Sequence, residues 1–75
     1  MIKEGTVVIP SENNAERFDK PIPRYKINQI GLGRVYAENL TTHENVCLHE
    51  DVSGNYDDFY YYYKETESEG EGITP

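Results

Sequence analysis

Residues 34–49 read RVYAENLTTHENVCLH, two runs of alternating apolar and polar side chains on either side of a polar turn. Alternation with a period of two places every second side chain on the same face of a strand. The stretch therefore predicts an antiparallel hairpin, with strands over 34–40 and 44–49 and a turn at 41–43. Four side chains are expected to face the core: Val35, Ala37, Val46 and Leu48. Four others are expected on the opposite face: Tyr36, Glu38, Cys47 and His49.

Three further segments have the composition of strands. Residues 5–10 form a β-branched run bounded by Gly and Pro, and proline cannot donate to a strand ladder. Residues 24–30 alternate so that Tyr25 and Ile27 share one face, as in a half-buried strand. Residues 56–64 are rich in Tyr and Phe, which suit a pleated surface, so they predict a further strand.

Polar connections separate these segments. Residues 11–23 form a connection in which one helical turn over 11–18, with Ser11 as its cap, is expected. The glycines on either side of Leu32 permit a tight turn between two strands. Residues 51–55 form a cluster of turn-favouring side chains. About five short strands joined in this way predict an all-β fold, either a small, strongly bent antiparallel sheet or an SH3-like barrel.

Two stretches carry the likeness to SH3-like barrels. Gly5-Thr6-Val7-Val8-Ile9 resembles the opening strand of the SH3-like small barrels. Gly33-Arg34-Val35-Tyr36-Ala37 together with Val46-Cys47-Leu48 resembles their central hairpin. The resemblance extends over residues 2–64, lies in strand length and spacing, and implies a fold without implying a function.

Charge divides the chain into two parts. Residues 1–49 carry as many acids as bases, so the whole formal charge of -7 arises in residues 50–75. We expect a small β domain over 1–64 and a flexible acidic tail over 65–75, because the tail has low complexity and almost no apolar residues. The acidic balance argues against direct binding to nucleic-acid phosphates and to anionic membranes, since both attract Lys and Arg.

Cysteine content and hydropathy bear on location and chemistry. Cys47 is the only cysteine and Met1 is not followed by an apolar run, so a cytoplasmic protein without a membrane segment is expected. His43, Cys47 and His49 have the side chains of metal ligands, but zinc generally requires four converging ligands. Catalysis by a Cys and His pair would need a cleft and oxyanion donors. The sequence therefore predicts no metal, no cofactor and no enzymatic activity.

The acidic and aromatic side chains near the C-terminus predict a partner-binding surface. In a strand, Phe59, Tyr61 and Tyr63 would share the buried face, and Tyr60 and Tyr62 would be exposed. Exposed tyrosines are enriched at binding hot spots. The predicted partner-binding residues are Asp57, Asp58, Tyr60, Tyr62, Glu65 and Glu67.

The expected partner is a basic surface on a larger protein, in the finer hypothesis a nucleic-acid-binding enzyme. Glutamates at every second position from Glu65 to Glu71 would lie roughly 6.6 Å apart in an extended chain, a spacing that can imitate a row of phosphates. In size and acidity the chain resembles phage-encoded proteins that inhibit host enzymes.

Two alternatives remain open. One is an accessory subunit that docks by a tyrosine-bearing edge strand through β-augmentation, without electrostatic mimicry. The other is a nucleic-acid-binding barrel, which requires five side chains to share one exposed face: Arg24, Lys26, Arg34, Tyr25 and Tyr36.

Overall fold

The structure, a computed structural model, describes residues 3–66 and contains one five-stranded antiparallel sheet with two short helices. The elements are β1 (Val7–Pro10), α1 (Glu12–Ala15), β2 (Tyr25–Gly31), β3 (Arg34–Asn39), β4 (Asn45–Glu50), α2 (Asp57–Tyr62) and β5 (Tyr63–Glu65). The strand order is β4-β3-β2-β1-β5, so β4 and β5 form the two edges of an unclosed sheet. The prediction of a small all-β fold with five antiparallel strands is confirmed.

The hairpin of β3 and β4 forms as predicted, with Ala37 opposite Val46. Val35 and Ala37 are completely buried, and Val46 and Leu48 pack against the same core. The register shifts between Val35 and Tyr36, so that His49 lies opposite Val35. The prediction that His49 lies on the outer face is therefore wrong, because a bulge at this point inserts one extra residue in β4 and reverses the alternation.

The turn between β2 and β3 consists of Leu32 and Gly33, both with positive φ, at 54° and 77°. Two residues in this conformation make a type I′ turn, whose twist matches that of the flanking strands. The predicted tight turn at the two glycines is confirmed. Tyr25 and Ile27 on β2 are both buried, which confirms the face predicted for them.

The tyrosine-rich segment is not the strand that its composition predicts. Residues 57–62 form α2, and the strand that follows it, Tyr63–Glu65, is short and pairs with β1. The helical period brings Phe59 and Tyr63 to the same side, where their rings stack with centroids 5.2 Å apart. Phe59 is buried in the core, so one aromatic stripe is covered and the rest of the helix can face solvent.

Helix α1 holds the end of α2 through polar side chains. Ser11 precedes α1 as its N-cap residue, as predicted, but its hydroxyl donates to the backbone oxygen of Tyr61 at 2.7 Å and not to its own helix. The Asn14 side-chain amide donates to the backbone oxygen of Tyr62 at 3.3 Å. Ser11 and Asn14 are both buried, and these bonds satisfy carbonyls that the helix leaves without partners.

Two tyrosines of the core make the fold sensitive to alkaline pH. The rings of Tyr25 and Tyr63 meet edge to face with centroids 6.2 Å apart. Burial raises the pKa of both phenols, and the neighbouring Tyr25 raises the pKa of Tyr63 further. The unfolded chain loses these protons near pH 10 and the folded chain loses them only at higher pH. The stabilisation is therefore complete below about pH 10 and is lost as the pH rises through the folded values.

We accordingly expect the melting temperature to fall steeply above about pH 10. Tyr25→Phe removes one of the two phenols, so its melting temperature should fall less between pH 9 and 11 than that of the parent chain. Tyr60→Phe, at an exposed ring, is the matched control. Thermal unfolding followed by circular dichroism measures the effect, and identical pH dependence in the parent and Tyr25→Phe would contradict it.

Candidate partner-binding surface

Four of the six predicted partner-binding residues lie on α2. Asp57 and Asp58 occupy its first turn and are exposed. Tyr60 is 42% exposed in the middle of the helix. Tyr62 is the last helical residue. The other two lie beyond the helix: Glu65 is exposed at the end of β5, and Glu67 lies outside the described residues.

The helix changes which tyrosines are exposed. Tyr61, predicted to be buried, is 55% exposed. Tyr62, predicted to be exposed, is half-buried, with its ring 4.9 Å from that of Tyr61 and 6.0 Å from the guanidinium carbon of Arg17. The exposed ring that sequence reasoning missed is Tyr61, because a period of two was applied where the period is 3.6. We call the exposed set on this helix the α2 surface: Asp57, Asp58, Tyr60 and Tyr61.

The start of α2 is tied to the neighbouring turns. The side-chain oxygen of Asn55 accepts a hydrogen bond of 2.8 Å from the backbone N–H of Asp57, which holds the first turn. The hydroxyl of Tyr56 accepts a bond of 3.0 Å from the backbone N–H of Gly33 in the β2–β3 turn. The ring nitrogen Nε2 of His49 lies 2.8 Å from the backbone oxygen of Asn55. The start of α2 is therefore fixed to β4 and to the β2–β3 turn.

Arg34 and Lys64 form ion pairs with acids that do not belong to α2. Arg34 bonds Glu50 at 2.9 Å, and this bond raises the pKa of the guanidinium. Lys64 bonds Glu12 at 3.2 Å. The pKa of Glu12 is lowered, first by a hydrogen bond from its own backbone N–H and then by Lys64.

Asp57 and Asp58 differ from these acids, because their carboxylates form no ion pair with any residue from 3 to 66. No ion pair within residues 3–66 therefore neutralises the two carboxylates of the α2 surface. The negative charges of Asp57 and Asp58 in the first turn also interact favourably with the positive end of the helix dipole, so the same residues help to stabilise α2.

The side chains with metal-ligand character have separate partners. His43 Nδ1 lies 2.9 Å from a carboxylate oxygen of Glu38. The thiol of Cys47 donates to the backbone oxygen of His49 at 3.1 Å. Within the described range, no three His, Cys, Asp or Glu side chains come together as a metal site would require.

The arrangement needed for a nucleic-acid-binding face does not form. Tyr25 is 8% exposed and packs against Tyr63 in the core. Lys26, its neighbour on β2, lies on the other side of the sheet, as alternation requires. The five side chains of that alternative therefore do not share one exposed face.

Similarity to known proteins assigns no activity to the α2 surface. No protein-family model, no curated protein and no solved structure matches the chain significantly. None of the helices that the structure describes is long and apolar enough to cross a membrane.

Proposed function

We propose that the protein is an acidic binding module whose α2 surface occupies a basic surface of a larger protein. The observation that carries the proposal is the pair of exposed carboxylates on Asp57 and Asp58, which form no ion pair within residues 3–66 and lie beside the exposed rings of Tyr60 and Tyr61. Tyrosine supplies contact area at interfaces, and complementary charge sets the association rate and the choice of partner.

In its finer form the proposal is that the partner is a nucleic-acid-binding enzyme of the host cell, which the module inhibits by imitating phosphates. Grooves that hold nucleic acid are lined with Lys and Arg, and acids of suitable spacing compete for them. Such an inhibitor should displace a labelled DNA duplex from the substrate groove of its target. An accessory subunit that binds outside the groove would leave the duplex in place.

Neutralising the two aspartates tests the proposal. The probe is a fluorescent ten-residue peptide of alternating Lys and Ser, which stands in for a basic surface. Asp57→Asn with Asp58→Asn should weaken its binding roughly three- to tenfold at low salt, because each exposed charge contributes a modest amount. The affinity of the parent chain should also fall as salt is added. Fluorescence anisotropy measures both.

The matched control is Glu16→Gln with Asp19→Asn, which removes the same charge from the connection between β1 and β2. Equal losses in the two double variants would show that net charge alone drives binding, and the α2 surface would not be the site. A chain ending at Thr66 measures the separate contribution of the acidic residues beyond it.

A second candidate is supported by the open edges of the sheet. β4 has six residues and no strand on its outer side within residues 3–66. Every second residue of such an edge turns its backbone N–H and C=O away from its neighbour, ready to pair with an extended segment. Because Tyr60, Tyr61 and Tyr62 lie in α2, docking by a tyrosine-bearing edge strand would involve only Tyr63, at the start of β5. Salt-independent binding to the true partner would favour edge docking over the acidic surface.

A further inference from the structure

Two large apolar side chains are almost completely exposed at one end of the molecule. Leu32 is 90% exposed at the tip of the β2–β3 turn, and Val52 is 95% exposed in the turn after β4. A single exposed apolar residue is ordinary, whereas two on adjoining turns form a feature that can bind.

The two turns touch through their backbones. The N–H of Asp51, the residue before Val52, donates to the oxygen of Gly33, the residue after Leu32, at 2.9 Å. The approach is so close that a Cβ on Gly33 would lie 1.8 Å from the backbone oxygen of Asp51. Leu32 and Val52 therefore lie on two turns that are in direct backbone contact, and we call this pair of exposed side chains the apolar tip.

Folding does not account for the leucine at this tip. Leu32 has φ of 54°, in the left-handed region that is unfavourable for a side chain with a Cβ. Asn or Gly is the preferred residue at this position of a type I′ turn. At 90% exposure the side chain gains almost nothing from packing in return. Contact with another molecule would give this leucine the burial that the fold does not.

The surroundings of the apolar tip are acidic. Glu50 is paired with Arg34, whereas the Asp51 carboxylate accepts hydrogen bonds from the backbone N–H and the hydroxyl of Ser53 and forms no ion pair within residues 3–66. Tyr56, bonded to Gly33, leads directly into Asp57 and Asp58. The apolar tip and the start of α2 are thus parts of one surface. Charge complementarity then requires a partner with a basic rim, which excludes nucleic acid and an anionic membrane as occupants.

We propose that Leu32 and Val52 insert into an apolar cleft of a partner protein while Asp57 and Asp58 contact Lys and Arg at the rim of that cleft. The inference rests on the proposed function and makes it more specific, because it gives the partner an apolar cleft as well as positive charge. It also predicts that part of the binding free energy persists at high salt, because salt screens charge interactions and does not weaken the burial of apolar side chains.

Three ten-residue peptides test the inference against the full chain. They alternate Lys with Leu, Lys with Ser, and Glu with Leu. The Lys–Leu peptide should bind at least about tenfold more tightly than the Lys–Ser peptide, because one buried aliphatic side chain contributes roughly that factor. The Glu–Leu peptide should bind far more weakly than either, and the methyl resonances of Leu32 and Val52 should shift with the Lys–Leu peptide. Titrations followed by NMR measure all three.

Substitutions at the apolar tip separate binding from folding. Leu32→Asn and Val52→Thr together should reduce the affinity for the Lys–Leu peptide to that for the Lys–Ser peptide. Leu32→Asn alone should raise the melting temperature, since Asn tolerates the left-handed conformation. Leu40→Asn makes the same side-chain change beyond the other end of β3 and should leave Lys–Leu binding within about twofold of the parent.

Either of two results would overturn the inference. One is equal affinity of the parent chain for the Lys–Leu and Lys–Ser peptides. The other is a loss of Lys–Leu affinity in the double variant Leu32→Asn with Val52→Thr that is no larger than the loss in Leu40→Asn. Failure of the proposed function has a different signature, namely that neutralising Asp57 and Asp58 leaves Lys–Ser binding unchanged. The two hypotheses can therefore be rejected separately.

Discussion

Gly33→Ala is expected to destabilise the protein by about 3 kcal/mol or more, lowering the melting temperature by at least about 12 °C. Gly33 has φ of 77°, and a Cβ there would lie 1.8 Å from the backbone oxygen of Asp51 and 2.9 Å from its carbonyl carbon. Because these are backbone atoms, no side-chain rotation relieves the clash. The turn at 51–54 would have to move, and its bond to the β2–β3 turn would break.

Two other glycines serve as matched controls. Gly54 has φ of 84° but nothing within 4 Å of an added Cβ, so Gly54→Ala measures the conformational cost alone, on the order of 1 kcal/mol. Gly31 has open space and no positive φ, so Gly31→Ala should be nearly neutral. Chemical denaturation of the three variants gives the comparison. A loss in Gly33→Ala no larger than in Gly54→Ala would mean that the two turns do not touch.

Features of the fold that neighbouring residues determine could be predicted from the sequence, and features that depend on distant contacts or on an unmarked bulge could not. The β3–β4 hairpin was predictable because its alternation and its turn are both local properties of residues 34–49. The position of His49 was not, since a bulge in β4 reverses the face and no residue in the segment signals it. The tight turn at Leu32 and Gly33 was predictable from glycine alone.

Helix α2 shows where local propensity fails. Tyrosine and phenylalanine favour strands, but β propensity depends strongly on context. Here the decisive contacts come from residues about fifty positions away, where Ser11 and Asn14 bond the carbonyls of Tyr61 and Tyr62. One local signal was available in the sequence, namely two aspartates just after Asn55, which suit the first turn of a helix.

The same error explains what was found and missed at the candidate site. Asp58 and Tyr60 are exposed in either conformation, because in a strand both lie on the face opposite Phe59. Asp57 would share the face of Phe59 in a strand, so its exposure follows from the helix. Tyr61 and Tyr62 exchanged roles because a strand and a helix distribute them differently. Leu32 and Val52 lie in turns that sequence analysis treats as connections, and only their exposure marks them as a surface.

Phe59→Ala is expected to cost about 3–5 kcal/mol, the loss typical of a large core aromatic. Phe59 is 1% exposed, stacks on Tyr63 at 5.2 Å and meets the ring of His49 at 6.1 Å. Domains of this size have total stabilities of only about 4–11 kcal/mol, so the variant should be largely or partly unfolded at physiological temperature. Thermal and chemical unfolding measure the change.

Tyr61→Ala is the matched control, and it also distinguishes a helix from a strand at residues 57–62. In a strand Phe59 and Tyr61 would share the buried face, and the two substitutions would be comparably damaging. In the helix Tyr61 is 55% exposed and contributes little beyond its ring contact with Tyr62 at 4.9 Å, so its loss should stay below about 1.5 kcal/mol. Equal losses would refute the helix. The α2 surface would then not exist, because Asp57, Asp58, Tyr60 and Tyr61 share one exposed surface only in the helix. The proposed function, which is argued from that surface, would lose its basis.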